Sequence, residues 1–188
     1  MSTHSDAIAV SPFMMRKLGK ENRELGVRLA QVEFHNMLAE LENPRVFDLQ
    51  IDFPNPPADD LDAPLLSEQP ISGRMPVLNV TLGRTAWVRA PENLPVVGIF
   101  VPAGEPAALA RALSGLITAH YTAPFARFVF LCQELRPVPL LGRYQFTVEH
   151  LGKITPNAAA RRLNLRFGVV EIRDLMSGGL LWRQPKNS

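Results

Sequence analysis

A mixed α/β (α+β) domain led by a long helix is the fold class the sequence predicts, with a mixed, mostly antiparallel sheet that contains one βαβ unit. Three observations predict it. Residues 128–132, FVFLC, are five apolar residues in a row. A strand with one wet face alternates apolar and polar, so both faces of this one should be covered. Residues 96–132 read as strand, helix and strand, a βαβ unit with parallel strands. Residues 144–150 and 163–167 alternate cleanly, as half-exposed strands do. The organisation expected is a helical segment at 1–47, an acidic proline-rich linker or arm at 48–76, and an α+β domain at 77–188.

The leading helix spans 12–42. No proline interrupts 17–42, and Gly19 and Gly26 are its weak points. Leu18, Leu25, Leu29 and Val32 follow one stripe. Phe34, Met37, Leu38 and Leu41 drift around the cylinder, so the seam is not a clean heptad. Glu24 and Arg28 stand at the spacing of an i,i+4 ion pair. Asn43-Pro44 stops the helix, because the residue before proline avoids helical geometry. Such a helix can pack back on its own sheet or dock on another chain, and both readings stay open. His35 has no ligand-forming neighbours at metal spacing and reads as a helix-face histidine.

Residues 48–70 hold 5 prolines, 6 acids and no base. Proline blocks both helix and sheet pairing, so this stretch reads as an extended arm. Asp59-Asp60-Leu61-Asp62 lacks the glycine and closing glutamate of a calcium loop. Short strands follow at 77–82 and 86–88, with Trp87 as an anchor, and then an apolar strand at 96–101. Pro106 suits the first helical position and Glu105 the positive end of the helix dipole. Leu109, Leu113, Leu116, Ile117 and His120 then share one face of a helix over 106–120.

Residues 136–139, Arg-Pro-Val-Pro, read as a proline-bracketed connection. Tyr144, Phe146, Val148 and His150 share one face of the next strand. The alternation at 163–167 predicts another strand, Gly168 a bulge, and Val170 and Ile172 its continuation. Met176-Ser177-Gly178-Gly179 is a hairpin turn with a returning strand at 180–182.

Composition narrows function. Residues 1–106 carry 9 basic and 14 acidic residues, a net of −5, whereas 107–188 carry 11 and 4, a net of +7. Sixteen of the 20 basic residues are arginines spread through the chain, which argues against a nucleic-acid stripe. Cys132 is the one cysteine, so no internal disulfide forms and the thiol reads as a small buried hydrophobe. No apolar run approaches the roughly 18 residues of a membrane span, and the polar start lacks a secretory signal. The expectation is a reducing, bacterial-type cytoplasm.

No P-loop, G-x-G-x-x-G, H-E-x-x-H or G-x-S-x-G motif is present. No metal or cofactor is expected. Residues 95–132 resemble the opening βαβ unit of inverting nucleotide-sugar glycosyltransferases of the GT-A fold: an apolar strand, a P-x-x-E turn (Pro102 to Glu105), an Ala/Leu-rich helix and a second apolar strand. The resemblance implies nucleotide-sugar chemistry with Glu105 and Glu134 as candidates. The pattern departs from the family after the second strand, where Gln133 and Glu134 stand, and no D-x-D follows.

Ligands of parallel sheets sit outside the carboxyl ends of the strands. Glu105, Gln133, Glu134 and Arg136 would line such a crevice, with Arg143, Tyr144, Glu149 and His150 facing or flanking it. Two functions follow. The first is a non-enzymatic interaction or assembly protein that meets a protein partner or a second copy through its N-terminal helix and acidic arm. The second is a small enzyme or ligand-binding domain that uses the crevice near Glu105, Glu134 and Arg136.

Overall fold

The computed structural model describes residues 11–48, 82, 83, 85, 87 and 91–185. Most of the arm at 48–76 and most of the short strands read at 77–82 and 86–88 lie outside the described residues.

Helix α1 is Pro12–Glu42, with the Ser11 hydroxyl accepting from the Phe13 N–H and Pro12 at the first position. A 3₁₀ turn, Pro91–Asn93, leads to strand β1, Val96–Val101. Helix α2, Pro106–Thr122, follows, then β2, Arg127–Cys132. A short helix α3, Val138–Arg143, precedes β3, Thr147–His150, and helix α4, Pro156–Phe167, precedes β4, Val169–Asp174. Strand β5, Leu180–Arg183, ends the fold.

The sheet order is β3-β2-β1-β4-β5. Strands β3, β2, β1 and β4 all run parallel, and only β5 is antiparallel, to β4. The sheet is therefore mostly parallel, which corrects the mostly antiparallel sheet expected from the sequence. Two helices account for the difference. Residues 163–167 are the end of α4, not a strand: Ala159, Ala160, Leu163 and Phe167 are buried at helical spacing while Leu165 is exposed. Thr155 caps the N-terminus through the Ala158 N–H, with Pro156 in the first turn. Gly168, read as a bulge, is the left-handed cap that ends the helix, at φ 73°. The proline-bracketed connection likewise holds α3. Each helix turns an expected antiparallel return into a crossover, and a crossover makes neighbouring strands parallel.

Apolar residues of the inner strands point alternately to two cores. Val97, Ile99 and Val101 of β1 join Phe128, Phe130 and Cys132 of β2 under α1, α2 and α3. Val96, Val129, Leu131, Val169 and Ile172 pack on the other face under α4. The FVFLC run is thus covered on both sides, as its lack of alternation predicts. Trp87 is buried in the first core, and Gly83 donates its N–H to Thr147 Oγ1 at 2.8 Å.

Helix α1 divides in two. Every residue over 11–29 is exposed, and burial starts at Ala30 and continues through Phe34, Met37 and Leu41. The docked part lies on α2, where Phe34 stacks on Tyr121. The stripe that drifts in the sequence is therefore a second face with its own partner.

Candidate functional site

At the carboxyl ends of the parallel strands the loops close on themselves and on one another. Glu105 caps α2, its carboxylate accepting from the Ala108 N–H at 2.8 Å. Gln133 Oε1 accepts from the Ala103 N–H at 3.0 Å, and the Gln133 N–H reaches the Val101 carbonyl at 3.0 Å. Glu134 and Arg136 pair with each other at 3.6 Å on an exposed turn. The connections from β1 and to β4 leave the sheet on opposite faces, so β1 and β4 flank the switch point where ligands of such sheets bind. There the Leu175 N–H joins the Phe100 carbonyl at 2.9 Å, and Asp174 accepts from both the Ser177 N–H and hydroxyl. His150 is exposed at the end of β3.

The other predicted residues lie elsewhere. Arg143 and Tyr144 meet α1: Arg143 Nη1 is 2.6 Å and the Tyr144 hydroxyl 2.9 Å from the two carboxylate oxygens of Glu40. Burial first, then the Glu40 hydrogen bond and charge, push the Tyr144 phenol up to about 12. Glu149 faces α4 on the far side of the sheet, held by Arg162 at 3.3 Å and Arg166 at 2.8 Å. The structure thus gathers Glu105, Gln133, Glu134, Arg136 and His150 along one edge and sends the remaining three to two helices. A cleft of about 460 Å³ at the docked end of α1 does bring Arg136 and Arg143 together, with Arg45, Glu40 and Asp48.

Buried titratable groups are core groups. His120 lies against Phe125 and Phe128, and burial lowers its imidazole to about 4. Burial raises the Cys132 thiol to about 12, so it is a protonated apolar filler rather than a nucleophile. Among the described residues no cluster of three His, Cys, Asp or Glu side chains could hold a metal ion, and no helix is long and apolar enough to cross a membrane.

One feature escaped the sequence reading, and a second was read only as a stripe whose exposure stayed open. The first is an apolar groove of about 470 Å³ on the α2 face of the sheet, floored by Val97 and Ile99 and walled by Leu116, Phe125 and Leu175. Glu171 stands at its edge, its carboxyl held below the usual range chiefly by its hydrogen bond to Arg173, with Arg183 adding to it. The groove exists because β5 returns as a hairpin and brings no helix to that face, which local pattern does not show. The second is on α1. Met15, Leu18, Leu25, Leu29 and Val32 are each between 48% and 60% exposed. Lys17–Glu21 at 4.0 Å and Lys20–Glu24 at 3.8 Å pair along the exposed helix. Glu24 thus pairs with Lys20, and not with Arg28 as its spacing suggests. The sequence signal was the 3,4 spacing that begins at Met15, one turn before Leu18.

No protein-family model, curated protein or solved structure matches the chain.

Proposed function

We propose that this chain is a non-enzymatic interaction or assembly protein whose contact element is the exposed part of α1. The carrying observation is the division of that helix. Its C-terminal part is held in the core by Phe34, Met37 and Leu41, while seven large apolar residues between Phe13 and Leu29 stand exposed. Most helical stability in proteins comes from packing of an apolar face, and contiguous exposed apolar surface marks interaction sites. The domain acts as the anchor that keeps the helix formed and oriented.

The test uses the full chain, because removing α1 would also strip the core. Wild type and a Leu18→Glu, Leu25→Glu variant are compared by light-scattering mass and by the proteins that co-purify. Both side chains are exposed, so unfolding measured at concentrations low enough to keep both proteins monomeric should not change. Loss of self-association or of a co-purifying partner in the variant supports the reading. Identical mass and identical partners in both proteins overturn it.

A further inference from the structure

We infer that the exposed part of α1 pairs with the same helix of a second copy as a parallel, in-register two-stranded coiled coil, with Asn22 facing Asn22. The inference rests on the interaction reading above and names its partner. Met15, Leu18, Asn22, Leu25, Leu29 and Val32 are separated by steps of three, four, three, four and three. That alternation is the a/d seam of a coiled coil, with Met15, Asn22 and Leu29 at a and Leu18, Leu25 and Val32 at d. All six are exposed. At 3.6 residues per turn the seam lies roughly 120° around the helix from the buried face of Ala30, Phe34, Met37 and Leu41. A partner helix can therefore lie along Leu29 and Val32 without displacing the domain.

Two observations choose the occupant and its direction. The first is Asn22. A single asparagine at an a position fixes register and oligomer state, because it is satisfied only by its own copy across a parallel seam. In the antiparallel arrangement centred on this seam Asn22 would face Leu25, burying an amide against hydrocarbon. The second is charge. Arg28 falls at g and Glu33 at the following e, the pair that meets across a parallel dimer. Neither has an ion-pair partner among the described residues. The dimer places each Arg28 against the Glu33 of the other copy, twice over by symmetry. The seam is short, but the docked end of α1 holds the helix in shape before association, which removes much of the ordering cost.

The experiment combines mass with disulfide trapping in the full chain, where the native Cys132 is buried and unreactive. Wild type should have twice the 20.9 kDa chain mass at micromolar concentration. Met15→Cys and Val32→Cys variants are then mixed and oxidised. Parallel pairing yields disulfides within each variant only, whereas antiparallel pairing places position 15 beside position 32 and yields mixed dimers. A monomeric mass, or mixed disulfides, overturns the inference. If the chain is monomeric yet the Leu18→Glu, Leu25→Glu variant still loses a co-purifying protein, the interaction reading survives with a different partner. If those substitutions change nothing at all, both fall.

Discussion

Phe34 of α1 lies flat on Tyr121 of α2, with ring centroids 3.8 Å apart and planes within 10° of parallel. Phe34 also meets Trp87 edge-on, Trp87 meets Phe146, and Phe146 meets Phe130 on the floor of the sheet. Four aromatic contacts in series tie the helix to the core. Phe34→Ala should therefore cost about 3–5 kcal/mol, the range for emptying a buried aromatic site. Leu25→Ala, on the exposed part of the same helix, should change monomer stability by less than about 0.5 kcal/mol. Urea unfolding at concentrations low enough to keep the chain monomeric measures both. Equal losses would mean that α1 is not divided at Ala30.

His120 makes the domain acid-sensitive. Burial lowers its pKa to about 4 from an ordinary 6.5, so the unfolded chain binds its proton more readily than the folded one. Stability then falls as pH drops from about 6.5 towards about 4. Each pH step of one between those two values is worth about 1.36 kcal/mol, which brings the full loss to about 3 kcal/mol. Between pH 7 and pH 4.5 the wild type should lose most of that amount relative to His120→Leu. A difference that stays constant with pH would show that His120 titrates normally.

How much of this was legible in the chain depends on whether a local signal existed. The FVFLC strand, α2 and the leading helix could be read because burial on two faces, a 3.6-residue stripe and a stop at Asn43-Pro44 are written in consecutive residues. Strand direction was not legible, because it turned on whether 163–167 is a helix. Leu-Asn-Leu-Arg-Phe satisfies a period of two, and Leu163 with Phe167 also satisfies i,i+4. Thr155-Pro156 before it and Gly168 after it were the capping signals that decide. The candidate site was less legible still. Arg143 and Tyr144 find Glu40 more than a hundred positions away, and no spacing rule reaches that far. The stripe on α1 was visible, but its exposure depends on where the domain ends along the helix.

Tyr144 should lose its contribution in alkali. Its phenol donates to Glu40 at 2.9 Å, and its pKa is raised from 10 to about 12, first by burial and then by that carboxylate. A raised phenol pKa stabilises the fold fully below pH 10, and the stabilisation is lost as pH climbs towards 12. Tyr144→Phe should cost about 1 kcal/mol at pH 8, the usual net value of a hydrogen bond. That advantage of the wild type should disappear by pH 11 to 12. Tyrosinate absorbance of the wild type should show a late step that the variant lacks. If the step that the variant lacks comes near pH 10 instead, Tyr144 is detached from Glu40.

Helix α4 offers the sharpest test of the corrected topology, because helix and strand disagree about one residue. A strand over 163–167 would turn Leu163, Leu165 and Phe167 to the same face. In α4, Leu163 is fully buried and Phe167 nearly so, while Leu165 is 60% exposed. Leu165→Lys should therefore shift stability by no more than about 0.5 kcal/mol, as exposed substitutions do. Leu163→Lys should prevent folding or cost several kcal/mol, because it places an unpaired charge among Ala159, Ala160, Val129 and Leu131. Thr155→Ala should cost about 1 kcal/mol through loss of the N-cap, which a strand would not feel. Circular dichroism with chemical denaturation separates the three. If Leu165→Lys is as damaging as Leu163→Lys and Thr155→Ala is silent, the segment pairs as a strand, and β4 loses the crossover that makes it parallel to β1.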